Sequence, residues 1–248
     1  MNIEIKIIEK EKPKKESTVI LAFPDVGLVG PIAVKHLIKD LEMEEIGYIT
    51  SDTFPPITAV HNSRPTYPIR IYGKSDLISV TSEIPITPDL INPFSNEITG
   101  WLEKIKAKNI VILGGLPRQN REEIDEPPIH GIPSNKDAEV KLKDNDLHVL
   151  EEGFISGING VLLRSLAERN VPGIYLMSEA HRNYPDPGAA ASILEALNDL
   201  EGLSINVDEL RKKEEEIKVA ARDLMRQTQK TMQEAEKNRE EEIPMMYG

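Results

Sequence analysis

Apolar and charged side chains alternate over residues 3–8, whereas residues 18–23 (TVILAF) are almost continuously apolar. The first pattern predicts a half-exposed strand and the second a buried one, joined by a polar turn at residues 10–16. The next segment, FPDVGLVGPIAVKHLIKDL, sets a glycine-containing loop before Pro31, followed by Ile32, Val34, Leu37, Ile38 and Leu41 at helical spacing. Further strands are predicted at residues 45–50, 68–72, 76–82, 109–113, 147–154 and 173–177, with helices at 92–106, 157–169 and 187–200. This alternation over residues 1–203 predicts one three-layer α/β domain whose buried strands are rich in Val, Ile and Leu. Residues 118–133, crowded with Pro, Glu and Asp, read as a long polar loop, either a surface flap or a cover over a neighbouring subunit.

After residue 203 the pattern changes. Residues 208–242 hold no glycine or proline, and Leu210, Ile217, Leu224 and Thr231 recur every seven residues. Ala221, Thr228 and Ala235 follow the last three of these by four residues. So narrow a stripe predicts a charged, projecting helix whose first half packs on the body, about 50 Å long if unbroken. Pro244 stops the helix and leaves residues 245–248 extended. The expected division is an α/β body at 1–203, a charged C-terminal helix at 204–242 and an extended tail at 243–248.

Charge narrows the choice of partner. With 42 acidic against 30 basic residues the chain carries −12, a field that repels polyanions. The densest basic run, residues 10–15, is interrupted by Glu11 and Pro13, so nucleic acid is not an expected partner. Absence of cysteine removes disulfides, thiolate metal ligands and a cysteine nucleophile, and fits a reducing, cytoplasmic setting. No run approaches ~18 apolar residues and the first residues alternate, so neither a membrane span nor a signal peptide is expected.

Candidate chemistry is sparse. Gly27 and Gly30 do not form G-x-G-x-x-G, and no Lys-Ser/Thr follows, so they fit a tight strand-to-helix turn better than a nucleotide loop. Gly114, Gly115, Gly157 and Gly160 permit close backbone approach and could line a crevice at the strand ends. His36, His61, His130, His148 and His181 lack metal-ligand spacing, so no metal and no cofactor is expected. Asp25, Glu83, Glu179 and His181 each close or follow a predicted strand, so a convergent acid–base cluster is conceivable. Ser156, Ser165 and Ser178 lack the G-x-S-x-G elbow that exposes a nucleophile. No catalytic residue is assigned; the alternative from another class is a small-molecule hydrolase or ligase using the strand-end crevice. Trp101, Leu224, Met225 and Met232 read as packing, whereas Met245 and Met246 lie beyond the last helix breaker.

Phe23-Pro24-Asp25-Val26-Gly27-Leu28-Val29-Gly30, followed by a helix with His36 and Leu37, closely resembles the opening of the archaeal branch of the proteasome assembly chaperone family. The eukaryotic member of that family is the second assembly chaperone. Phe54-Pro55-Pro56, Pro68-Ile69-Arg70-Ile71-Tyr72, Trp101, Gly114-Gly115, Gly157-Ile158-Asn159-Gly160 and Pro185-Asp186-Pro187 fall in the same order, so the likeness spans residues 18–220. The resemblance implies a phosphorylase/hydrolase-like α/β body, and with no nucleophile elbow in the sequence no enzyme activity is expected. It further implies a homo-oligomer, tetramer or pentamer, and a role as assembly chaperone or ATP-independent activator on the α-subunits of the 20S proteasome. For the last residues, Met246, Tyr247 and Gly248, it implies a hydrophobic-Tyr-X docking tail, its carboxylate meeting a lysine between neighbouring α-subunits. A free carboxylate and an aromatic with a polar tip suit such a half-buried pocket, and several tails on one oligomer multiply a weak contact.

Overall fold

The computed structural model describes residues 3–220 and 222–242. Its first half runs β1 (Lys6–Glu9), β2 (Thr18–Ala22), α1 (Val29–Asp40), β3 (Glu44–Thr50), the β4 (Ala59–His61) and β5 (Arg64–Thr66) hairpin, β6 (Ile69–Lys74), β7 (Leu77–Ser82) and α2 (Pro88–Lys104). The second half runs β8 (Asn109–Pro117), β9 (Ile129–Pro133), α3 (Lys136–Asp144), β10 (His148–Val149), α4 (Gly157–Glu168), β11 (Ile174–Ala180) and α5 (Pro187–Glu201). Three helices close the described chain: α6 (Asp208–Lys212), α7 (Glu214–Ala220) and α8 (Arg222–Glu242).

Nine strands form one sheet in the order β1-β3-β6-β7-β2-β8-β11-β9-β10. Its centre, β7-β2-β8-β11, is parallel, and the β1-β3-β6 side is an antiparallel run. The continuous apolar run of β2 follows from this place: Ile20 and Ala22 face the layer holding α1 and α5, Val19, Leu21 and Phe23 the layer holding α2 and α4. Leu37, Leu194 and Leu197 fill the first core; Phe94, Leu102, Leu162 and Leu166 fill the second. Phe23 meets Phe94 edge-on at 5.4 Å between ring centroids. Trp101 packs in the second core while its ring N–H donates to Glu9 Oε1 at 2.8 Å, tying α2 to the sheet edge. The three-layer α/β body expected from the alternation is present.

Several local expectations are corrected. Residues 118–133 are not loop throughout: residues 129–133 form β9, antiparallel to β11 inside the sheet. The strand expected over 147–154 shrinks to His148–Val149, because after Leu150 donates to Gly131 O at 3.0 Å the chain leaves the sheet and Phe154 is fully exposed. Between them, α3 was not anticipated; it buries only Ala138 and Leu142, an i,i+4 pair too sparse to show a periodic face. Helix α2 also starts earlier, with Pro88 in its first turn and Pro93 inside it.

The C-terminal region is three consecutive helices, with Leu210 and Met225 buried and Ile217, Leu224 and Met232 partly buried against the α1–α5 core. The seven-residue stripe is therefore the face that packs on the body. Its root is pinned: His36 Nε2 lies 2.6 Å from Asn206 O, and the Asn198 side chain bonds both N–H and C=O of Ile205 at 2.9 and 3.0 Å. Further along, Gln229 donates to Asn183 O at 2.9 Å.

Candidate functional site

The C-terminal ends of the parallel strands, where open α/β sheets form crevices, hold three polar centres. The first is built on the loop after β2. Gly30 lets α1 start directly against β8, since a Cβ there would collide with the Leu113 carbonyl oxygen. This is the tight turn anticipated for Gly27 and Gly30. Asp25, in the same loop, is partly exposed as a residue but has its Oδ1 buried, and its Oδ2 accepts from Gly115 N–H (3.2 Å), Asn159 Nδ2 (2.9 Å) and Tyr175 OH (3.2 Å). Gly114 makes room for this group, because any Cβ there would strike both Asp25 Oδ2 and the Tyr175 hydroxyl. Asp25 Oδ1 and Asn159 Oδ1 have no hydrogen-bond partner. Burial pushes the Asp25 carboxyl up to about 8, against the opposing pull of Gly115, Tyr175 and Asn159.

The second centre fixes the polar flap at residues 118–128. Arg121 is buried, with Nε 3.0 Å from Asp186 Oδ2 and Nη2 3.2 Å from Asp186 Oδ1, and it also donates to the Ile124 carbonyl. Asp186 meanwhile caps α5 through Ala189 N–H at 2.9 Å and accepts His181 N–H at 3.0 Å. At the far end of the flap, Glu179 N–H donates to Pro128 O at 3.1 Å.

The third centre is a row across β11, β9 and β10. Glu179 Oε1 lies 3.3 Å from His130 Nε2, and His130 Nδ1 lies 3.2 Å from His148 Nδ1. One imidazole nitrogen of the latter pair must donate and the other accept. The five histidines, scattered in sequence, thus include one pair joined by strand register. Among the described residues there is no group of three or more side chains that could hold a metal ion.

Asp25, Glu83, Glu179 and His181 do not form the acid–base cluster that was conceivable from sequence. Glu83 bonds Arg70 Nη2 at 2.5 Å and His61 at 2.9 Å, while the His181 ring stands edge-on to Tyr184. Ser178 and Ser165 are buried, and Ser178 Oγ has no hydrogen-bond partner.

A cleft of about 1170 Å³ lies on the α1 side of the antiparallel half of the sheet. Its walls are α1, the β4–β5 hairpin and the C-terminal helices, the last through Leu210, Ile217 and Leu224. Arg70 and Thr81 lie on its floor, and Arg70 is buried with its guanidinium 5.3 Å from the centre of the Tyr72 ring. Sequence reasoning missed Arg70, Arg121 and Tyr175 as polar anchors; residues 68–72 read as a strand and Gly157 and Gly160 as points of close backbone approach, with no polar partner indicated for either segment. Met246, Tyr247 and Gly248, the expected docking residues, lie outside the described residues.

Comparison with known proteins agrees with this architecture. The structure is similar to Pyrococcus furiosus PbaA, described as an archaeal homolog of proteasome-assembly chaperone, with a TM-score of 0.87 and 30% identity over 92% of this chain and 100% of that one. P. furiosus PbaB, described as an archaeal proteasome activator, shares the fold at a TM-score of 0.74 and 24% identity, over 89% of this chain and 98% of that one. A protein of Methanocaldococcus jannaschii is 32% identical over 242 residues, 97% of this chain and 98% of its own. The PAC2 family model matches residues 19–225, and with identity of this extent along the whole chain, the protein belongs to the PAC2 family.

Proposed function

We propose that this chain serves the proteasome as an assembly chaperone or ATP-independent activator, docking on the α-ring through Met246, Tyr247 and Gly248 as a homo-oligomer of about four or five subunits. One observation carries the reading: the likeness to PbaA extends over the whole of that chaperone homolog rather than over the common sheet alone. The seating of α6–α8 supports the tail's part in it. Leu210, Met225 and Thr228 are buried, so the helices leading to the tail have a fixed root on the body. A short peptide buries little area, and its aromatic anchor and terminal carboxylate then dominate the contact.

The test compares co-sedimentation of the full chain with isolated α-rings against Tyr247→Ala, a chain lacking residues 246–248, and a chain extended beyond Gly248. All three variants should keep the oligomer mass and circular dichroism of the parent and weaken each tail's contact at least tenfold, equivalent to about 1.4 kcal/mol per tail, a deficit multiplied across the tails of the oligomer. Unchanged binding by the truncated and extended chains would overturn tail docking and move the contact to the body.

A further inference from the structure

The cleft differs in charge from the molecule that contains it. Six basic side chains line it: Lys10, Lys35, Lys39, Arg64, Arg70 and Lys213. Among the described residues only Glu45, Glu83 and Glu209 oppose them, a local balance of +3 (six minus three) in a chain of −12. The carboxylates are already engaged, Glu45 with Lys10, Glu83 with Arg70, and Glu209 with both Lys39 and Lys213. Lys35 and Arg64 are exposed at the walls and have no acidic partner among the described residues. Such a cleft attracts a negatively charged segment with some apolar content, because Pro31, Ile32 and Ile38 also line it.

The flap has the opposite character. Glu123, Asp125 and Glu126 are exposed at its tip, around the half-buried Ile124. Both its feet are held, one by the buried Arg121–Asp186 pair and the Arg118 N–H to Ala180 O bond at 3.0 Å, the other by Glu179 N–H to Pro128 O. The tip is therefore presented in a preset shape, which lowers the ordering cost of binding. The flap leaves β8, on the opposite half of the sheet from the β3-β6-β7 cleft. A flap-to-cleft contact between copies would join unlike surfaces, and unlike surfaces repeated head to tail give a ring when the rotation between neighbours closes.

We propose that the basic cleft receives the acidic flap of a second copy of the chain, so that each subunit's flap braces its neighbour's C-terminal helices through the wall formed by Leu210, Lys213 and Ile217. The proposal rests on the homo-oligomer reading above and gives that oligomer its contact. It couples assembly to the presentation of the tail, since an occupied cleft steadies the helices that carry it.

The experiment is a charge exchange in the full chain, read by light scattering at low and high salt. Lys35→Glu with Arg64→Glu, and separately Glu123→Lys with Asp125→Lys, should each weaken self-association about tenfold or more and lower the mass, while circular dichroism stays that of the parent. A chain carrying all four substitutions should recover the parent mass. Lys6→Glu, outside both surfaces, serves as the control and should change nothing. An oligomeric parent whose mass resists both exchanges overturns the flap-to-cleft contact but leaves the homo-oligomer reading standing; a monomeric parent at tens of micromolar ends both. Dissociation by each pair without recovery in the fourfold variant overturns the pairing of these surfaces. Loss of α-ring binding by the cleft variant at unchanged mass also overturns it, and assigns the cleft to an acidic segment of the ring.

Discussion

Asp25 and Asp186 hold carboxyls at the same end of the sheet, Asp186 buried and Asp25 partly exposed with its Oδ1 buried, linked through the Asp186 N–H to Gly27 O bond at 2.8 Å, yet their surroundings differ in kind. Asp186 has a guanidinium on both oxygens and two backbone N–H donors besides. Asp25 has three neutral donors on one oxygen, none on the other and no cation. Neutral donors alone do not offset the loss of solvation, so the Asp25 carboxyl is raised to about 8 and is mostly protonated at neutral pH. Asp186 works as an electrostatic anchor for the flap and α5. Asp25 works as a hydrogen-bonded node joining the β2 loop to β8, α4 and β11.

The sharpest way to break the comparison is to remove the cation that only one of them has. Arg121→Ala leaves Asp186 buried without its partner and should cost about 3–5 kcal/mol of unfolding free energy. The midpoint of urea unfolding measures this, with an unchanged denaturant slope showing that the folded and unfolded states keep their compactness. The Arg121→Ala, Asp186→Ala double variant should lose less than the sum of the two single changes. A loss below about 1 kcal/mol would show that water replaces the pair, and the contrast with Asp25 would collapse.

These two centres also mark where sequence reasoning reached and where it stopped. The loop Phe23–Gly30 and the turn Pro185–Pro187 were singled out, and β2, α1 and α5 follow from unbroken apolar patterning. Asp25, however, meets Gly115, Asn159 and Tyr175 at separations of 90, 134 and 150 residues, and no local pattern encodes such a meeting. The conceived union of Asp25 with Glu83, Glu179 and His181 assumed that strand ends converge, but Glu83 follows β7 and pairs with a β6 side chain on the antiparallel half. β9 was hidden because Ile-His-Gly-Ile-Pro is short, holds both Gly and Pro, and follows a run of acidic residues. Arg121 looked like one more flap charge; only the fold shows that it turns inward.

The second prediction uses pH to separate the two carboxyls. Because the Asp25 pKa rises from 3.8 to about 8 on folding, the folded state holds a proton that the unfolded chain releases across that interval. Stability from this group is therefore greatest below about pH 4, falls as pH rises through the window, and levels off above pH 8. The slope is at most about 1.4 kcal/mol per pH unit. Asp25→Asn mimics the protonated acid, keeping an oxygen toward the three donors and carrying no charge. Chemical denaturation of parent and variant from pH 4.5 to 8 should show the variant gaining relative stability as pH rises. Parallel curves would mean that Asp25 is ionised in the fold and that its surroundings resemble those of Asp186 after all.

The smallest effect comes from thinning the donor set rather than replacing the acid. Tyr175→Phe removes one of three donors to Asp25 Oδ2 and leaves Asn159 Nδ2 and Gly115 N–H in place. The net cost of one such bond is about 1 kcal/mol, small because Asp25 is already neutral over most of the range in which the protein is handled. The change in pH dependence is the sharper signature. The tyrosine bond pulls the Asp25 pKa down, so its loss lets burial raise that pKa further, and the falling limb of stability should extend beyond pH 8. Tyr175 itself stays protonated throughout, since burial and the adjacent Asp25 lift its phenol well above 10. The folded parent's titration in this window owes nothing to the phenol, and below about pH 9, where the unfolded phenol is protonated too, the shift reports the hydrogen bond alone. Denaturation series run to about pH 9.5 on both proteins decide the matter. A limb that ends at the same pH in the parent and in the Tyr175→Phe variant would show that the hydroxyl packs beside Asp25 without bonding it, and the node would rest on Asn159 and Gly115.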